Sequence, residues 1–298
     1  MLLICFNHEK YIREAISSVV CQNFVFPFEI IVCDDNSKDR SVAIANEALE
    51  SSGLPFMIVG GENVGVAKSI LRGASVARYD LIFTLECDDF WINANKMQAQ
   101  LEAMLHWNAH SSCHYFNVVD ENGEFLRNQE RLLYNTGFLD CDDVLCNFPM
   151  HLGSISFFRS KCPLIFEHDY SDFGTIFDLP FAFYLACQKK MLLIPNVWIS
   201  YRAHAEGWWT SKESGMRLRL RYAVIQNIIR QSSLRLPLSR RCLEGLFVQE
   251  KILCFFDNSN PACKRLWPIF SWRFISHRMG RSFFIKALLS KIFGMTIK

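Results

Sequence analysis

The chain has 298 residues, half of them hydrophobic, and its 32 Lys and Arg nearly balance 30 Asp and Glu, for a net charge of +2. That is enough apolar content to bury a substantial core in one large domain or two smaller ones. No uninterrupted apolar run approaches the roughly 18 to 20 residues that a membrane span needs, which argues against a spanning helix.

In chain order, Met1–Phe6 lacks a basic leader and is too short for a signal peptide's apolar core, so it reads as a strand. Glu9–Gln22 carries apolar residues at Tyr11, Ile12, Ala15, Ile16, Val19 and Val20, the spacing of a helix with one greasy face. Phe28–Cys33 is a β-branched strand that ends in the polar cluster Asp34–Ser41. Ser37 or Asp39 there can cap a helix running through Leu49. A strand over 55–59, the loop Gly60–Gly65, a helix over 66–77 and a strand over 80–85 follow. Three β-α units in succession predict an α/β fold with an open, mostly parallel, Rossmann-like central sheet flanked by helices.

Further on, 93–107 reads as a helix and 112–119 as a strand, with a hairpin turn at Asp120–Glu124. A short helix is expected near 140–146, a strand over 153–158, and a helix over 177–189 opened by Asp178 and Pro180. The strands 191–194 and 197–201 close this part. From about 211 the chain reads as helical and basic. Residues 211–298 hold 17 Lys and Arg against 4 Asp and Glu, whereas residues 1–210 hold 15 against 26. The split predicts an acidic catalytic body over 1–210 and a basic helical extension over 211–298 that faces an anionic partner. Twelve cysteines sit mostly among apolar neighbours with no Cys-x-x-Cys pair, the pattern of reduced, buried thiols in a reducing cytosol.

Chemistry concentrates at Glu86-Cys87-Asp88-Asp89-Phe90-Trp91. The acids sit where an apolar strand ends, the edge at which α/β sheets place ligands. Carboxylates there can bind a hard divalent cation, and the cation can hold a diphosphate the acids would otherwise repel. Lys68, in the first turn of a helix, is poorly placed for a cation unless an anion is near.

Four segments in order carry a family pattern: Asp34-Asp35-Asn36-Ser37, Asn63-Val64-Gly65-Val66-Ala67-Lys68, Glu86–Trp91 and Tyr201-Arg202-Ala203-His204-Ala205-Glu206-Gly207-Trp208. Over roughly residues 1–210 the chain resembles family 2 glycosyltransferases of the GT-A fold. The resemblance implies that Asp35 bonds the donor's base, that Phe6 and Glu9 line the nucleoside pocket and that Lys68 lies near the nucleotide. Asp88 and Asp89 match the acidic pair facing the donor and the metal, with Asp89 favoured as the direct ligand. Asp178 matches the base that deprotonates the acceptor hydroxyl, and His204 a histidine beside the diphosphate or metal. Cys5 and Phe6 stand where Thr and Tyr are common, which implies either a less polar nucleoside pocket or a short first strand.

Asp178, flanked by apolar residues, is suited to proton abstraction, with Asp169 and Asp172 as rivals. Trp91, Trp208 and Trp209 are candidates for stacking on a sugar or acceptor, or for packing. His8 and His151, like the other histidines apart from His204, show no ligand spacing.

The expected activity is therefore inverting transfer of a sugar from a nucleoside-diphosphate sugar, most simply a UDP-sugar. The acceptor is a hydroxyl of a glycan or polyprenyl-diphosphate-linked acceptor, in cell-surface polysaccharide (lipopolysaccharide-type) assembly, with Mn²⁺ or Mg²⁺ as cofactor. A nucleotidyltransferase is the enzymatic rival, but Asn7-His8-Glu9-Lys10-Tyr11 is not the Gly-rich loop it would carry. A catalytically inactive nucleotide-sugar-binding subunit is the third reading. The stripes Phe284/Leu288/Ile292 and Ile285/Leu289/Phe293, with Arg281, Lys286, Lys291 and Lys298, suit a helix lying on the anionic inner face of the cytoplasmic membrane. They suit a docked helix or a dimer contact equally well. Nucleic acid is not expected as a partner.

Overall fold

In the computed structural model the described residues are 1–129, 137–147, 150–170, 177–207 and 210–212, with scattered positions between 216 and 231. Two compact units divide the chain: Met1–Val144 with Pro149–His204, and Leu145–Phe148 with Ala205–Lys298. The first holds every described strand.

The sheet begins with β1 (Leu2–Cys5) and β2 (Ile30–Asp34), whose residues are all buried. Such continuous apolar runs are what a parallel strand covered on both faces requires. With β3 (Phe56–Val59) and β4 (Leu81–Glu86) they form the parallel order β3-β2-β1-β4. The crossovers are α1 (Ile12–Val20), α2 (Ser41–Glu50) and α3 (Gly65–Val76). Each buries one stripe, as helical spacing predicts: Ile12, Ala15, Ile16 and Val19 on α1, Ala67, Ile70 and Ala74 on α3. α3 lies so close to the sheet that a Cβ on Gly73 would run into Cys33 Sγ.

From β1 the chain steps outward to β2 and β3, then returns to the opposite side of β1 for β4. The connections leaving the carboxyl ends of β1 and β4 therefore diverge, and a crevice opens between them.

Beyond β4 the sheet is mixed. β9 (Ser156–Phe158) runs antiparallel between β4 and β6 (Ser111–Val119), and β10 (Met191–Arg202) runs parallel to β6. β5 (Phe90–Trp91) and β8 (Gly137–Leu139) pair antiparallel with β10. β7 (Phe125–Asn128) closes the expected hairpin on β6. α4 (Lys96–His106), α6 (Leu164–Glu167) and α7 (Asp178–Gln188) are the further helices of this unit, and α5 (Cys141–Asn147) starts in it and passes into the second unit at Leu145.

Two strand expectations change. The first half of 153–158 is a 3-10 turn, Leu152–Ser154, capped by the His151 side chain, and only the second half is a strand. The two strands over 191–201 are one, with register shifts between Ile194 and Ile199 that absorb Pro195. Among the described residues no helix is long and apolar enough to cross a membrane.

Candidate active site

Three connections converge at the crevice. The one after β1 turns at Asn7, whose φ of 58° is a left-handed conformation that Asn tolerates. It is tied to the connection after β2: Asn7 N–H donates to Ser37 Oγ at 2.9 Å, His8 N–H to Ser41 Oγ at 2.7 Å and Glu9 N–H to Asp39 Oδ2 at 2.9 Å. Lys38 and Arg40 N–H return bonds to Asn7 Oδ1 and Glu9 Oε2. The polar run after each strand is therefore a mutual scaffold, which fixes what it presents.

The third connection follows β4. Cys87 N–H continues the ladder to Ile4 at 2.9 Å, and a turn closed by Asp89 N–H to Glu86 O then separates the two aspartates. Asp88 faces the crevice, where its Oδ2 lies 3.2 Å from His204 Nε2 and 3.7 Å from His8 Nε2. Asp89 turns inward with 1% exposure; Oδ1 accepts the Arg202 N–H at 2.8 Å and Oδ2 lies 3.4 Å from His151 Nδ1. His151 Nε2 lies 3.3 Å from Glu86 Oε2.

Arg202, at the end of β10, locks this arrangement. Its Nε donates to Asp88 O at 2.9 Å, Nη1 to Glu121 O at 2.9 Å, and Nη2 to Glu14 Oε2 on α1. The guanidinium stacks over Tyr11 and Phe90, and the Tyr11 ring in turn lies 5.0 Å from that of His204.

Burial opposes ionisation of Asp88, but the His8 and His204 rings outweigh it and hold its carboxyl below the usual carboxylate range. Asp89 goes the other way: burial, then the charges of Asp88 and Glu86, push its carboxyl well up. Glu86 is also pushed up, by burial and by Asp88 and Asp178. Burial takes the His151 imidazole down to about 4. The acids are thus split into one held ionised and two held against ionisation, the separation on which acid–base and metal chemistry at neutral pH depends.

Two groups offer ligands to a divalent cation. Glu86, Asp89 and His151 bring ligand atoms within 4.8 Å of one another. Each residue there offers a single ligand atom, one ring nitrogen of His151 and one oxygen of each acid, so the three together fit one divalent cation. Asp88 and His204 form a second, two-ligand pair, a carboxylate oxygen and an imidazole nitrogen 3.2 Å apart.

The other expected residues are distributed as follows. Asp35 is buried at the N-terminus of α3, accepting from Val64 N–H at 2.7 Å, Gly65 N–H at 2.9 Å and Ser69 Oγ–H at 3.1 Å. Phe6 is 43% exposed at the crevice loop, Glu9 holds the Arg40 N–H, and Lys68 is exposed in the first turn of α3. Asp178 is the half-buried first residue of α7, near enough to raise both Glu86 and the Tyr201 phenol. Asp169 is exposed. Trp91 belongs to the core and offers no free face to a sugar: it is 4% exposed, packs on Phe83, and donates its indole N–H to Gly153 O at 3.0 Å. Asp172, Trp208, Trp209 and the basic stripes of 281–298 lie outside the described residues. His8, His151, Tyr201 and Arg202 join the site although no spacing marked the histidines. For His8, adjacency to the β1 loop was the available signal.

The description "Glycosyl transferase family 2" matches residues 1–161. An uncharacterized protein of Mycobacterium tuberculosis is 27% identical over 220 residues, 72% of this chain; the chain spans 61% of that relative's length. The Escherichia coli UDP-Glc:alpha-D-GlcNAc-diphosphoundecaprenol beta-1,3-glucosyltransferase WfgD is 29% identical over 178 residues, 57% of this chain and 66% of its own. By fold, the chain is similar to Staphylococcus aureus TarS 1-349 in complex with UDP-GlcNAc (TM-score 0.60, 15% identity, 96% of this chain and 78% of that one). It is equally similar to the mannosyltransferase PcManGT of Pyrobaculum calidifontis in complex with GDP-Man and Mn²⁺ (TM-score 0.60, 13% identity, 98% and 86%). With more than half its length matched and the GT-A architecture in place, this chain belongs to glycosyl transferase family 2.

Proposed function

We propose that the protein is a metal-dependent, inverting glycosyltransferase that moves a sugar from a nucleoside-diphosphate donor, most simply a UDP-sugar, to a hydroxyl of a glycan or polyprenyl-diphosphate-linked acceptor. The observation that carries the reading is the meeting of Asp88 and His204 at the β1/β4 crevice, with Asp178 in electrostatic reach of the neighbouring Glu86. The setting, assembly of a surface polysaccharide at the inner membrane face, is supported by WfgD, whose acceptor is an undecaprenol-linked sugar.

Asp88 and His204 would hold a divalent cation, which when bound offsets charge on the leaving diphosphate. Asp89, in a group with Glu86 and His151, would offer the cation a direct ligand oxygen, while its Oδ1 accepts the Arg202 N–H. Asp35 sets the wall of the nucleoside pocket by fixing Val64 and Gly65, while Phe6 and Glu9 shape the facing loop and Lys68 lies toward the nucleotide. Asp178 accepts the acceptor's hydroxyl proton at a carboxylate oxygen, and a single base opposite the leaving group gives inversion. Residues 1–210 form the catalytic domain in this reading, and 211–298 a basic extension that contacts an anionic membrane surface.

The test is a screen of UDP-, GDP- and dTDP-sugars with Mn²⁺ or Mg²⁺, read by thermal shift and nucleoside diphosphate release. At least one donor should raise the melting temperature and be hydrolysed or transferred only with metal. A folded protein that responds to none, with or without chelator, refutes the reading.

A further inference from the structure

We propose that Cys141 and Cys187 form a reversible disulfide, which makes this pair a peroxide-sensitive modification site where α5 begins and α7 ends. The chemistry lies apart from glycosyl transfer and stands independently of it.

The sheet places the pair. β8 and β10 run antiparallel with Leu139 opposite Met191, and just beyond that rung Lys190 Nζ lies 3.9 Å from Asp140 Oδ2. From there one strand turns into α5, whose first residue is Cys141, and the other leads back to the last turn of α7, which carries Cys187. The two thiols come within hydrogen-bond reach of each other. A disulfide holds its sulfurs at about 2.05 Å on Cα atoms about 4.4–6.8 Å apart, so thiols already in contact are close to that arrangement.

Access and reactivity single this pair out. Cys141 and Cys187 are both half-buried, open enough for a small oxidant. Cys33, Cys113 and Cys162 are buried, and burial pushes their thiols up, away from the reactive thiolate. Cys5 and Cys87 also stand within hydrogen-bond reach, but both are fully buried and the Cys87 thiol is pushed well up. At Cys141 the hydrogen bond with Cys187 outweighs burial and the charges of Asp142 and Asp140, and holds the thiol below the ordinary cysteine value. That same bond, then burial, pushes Cys187 up. The two are thus unequal, as an attacking and a resolving cysteine are.

The steps balance with a peroxide as oxidant. The Cys141 thiolate attacks one oxygen of hydrogen peroxide, the O–O bond breaks, and the departing hydroxide takes up a proton as water. Sulfur is oxidised to a sulfenic acid. The Cys187 sulfur then attacks Cys141 Sγ, the S–S bond forms, the S–O bond breaks, and a second water carries off the hydroxyl with the Cys187 proton. A dithiol reverses the reaction by returning two electrons and two protons. The bridge would tie the start of α5 to the helix that opens with Asp178.

The experiment treats the reduced full chain with stoichiometric hydrogen peroxide, alkylates the remaining thiols and maps peptides by mass spectrometry without reduction. Fragmentation must separate Cys141 from Cys146 and Cys187 from Cys162, which share tryptic peptides. The wild type should lose the mass of two hydrogens through one Cys141–Cys187 bond that dithiothreitol reopens. Cys187→Ser should stop at a sulfenic acid on Cys141, trapped by dimedone, and Cys141→Ser should leave Cys187 an alkylatable thiol. If Cys141 and Cys187 both remain alkylatable, or either bridges to another cysteine, the proposal fails. Because the wild-type map needs no variant, it decides even if a Ser variant fails to fold.

Discussion

The backbone N–H of Arg202 donates to Asp89 Oδ1 at 2.8 Å while its guanidinium holds Asp88 O, so the end of β10 grips both aspartates at once. Arg202 is a positioning residue, and a Lys cannot reproduce its planar fork. Arg202→Lys should lower unfolding stability by about 1.5–3 kcal/mol, the worth of one charged hydrogen bond. It should also weaken the donor-induced thermal shift, which a purely structural loss would leave intact in a folded variant. Urea unfolding together with thermal shift separates the two.

Asp178 tests the division between binding and chemistry. Asp178→Asn keeps shape and removes the proton acceptor, so transfer should fall about 10²–10⁴-fold with donor affinity unchanged. Calorimetric donor titration beside a turnover assay checks this, and undiminished turnover moves the base elsewhere.

Lys96 is fully buried, its Nζ 3.8 Å from the Trp91 ring centroid and 4.8 Å from that of Phe83, with no hydrogen-bond partner among the described residues. Burial pushes its ammonium well below the ordinary lysine value. Cation–π contact contributes on the order of 2 kcal/mol, less than the several kcal/mol cost of a buried ion, so Lys96 destabilises the fold. Lys96→Met should therefore raise stability by about 1–3 kcal/mol at pH 7. A folded-state value below the unfolded one means the unfolded chain binds the extra proton. Wild-type stability should then rise with pH toward about 10.4, by at most about 1.4 kcal/mol per unit, and fall as pH drops through that range. Lys96→Met should lack this slope; parallel pH profiles of the two proteins would contradict the assignment.

Gly153 has no room for a side chain. A Cβ would run into Ile199 Cδ1 and press on Leu85 Cδ1, and the same residue supplies the carbonyl for Trp91 and an N–H for His151. Gly153→Ala should cost about 1–3 kcal/mol by overpacking, measured by denaturant unfolding.

Periodicity made α1 to α4 and the four parallel strands legible, because each buries one continuous face or stripe that local sequence must encode. The acid pair was legible for the same reason: an apolar strand followed by carboxylates defines a sheet edge. The partners of those acids were not. His8 and His151 lie 80 and 62 residues from Asp88 and Asp89, and only the strand order β1-β4-β9 brings them close. Trp91 beside two aspartates looks like a sugar platform, yet its indole N–H finds a buried carbonyl and the ring follows it into the core. Pro195 looked like a break because a proline cannot donate to a ladder, and the register shift that tolerates it has no local signature.

Strand β9 pairs with β4 through Leu81–Phe83 and with β6 through Ser111 and Ser112, and it is only three residues long. The loops after β1, β2 and β4 lie on one side of this seam, yet β10, beyond it, returns to them: β5, just after the acid pair, pairs with β10, and Arg202 at the end of β10 holds Asp88, Asp89 and Glu14. The two parts of the sheet are therefore stitched together at the acids, and a substitution that shifts β10 is felt there at once.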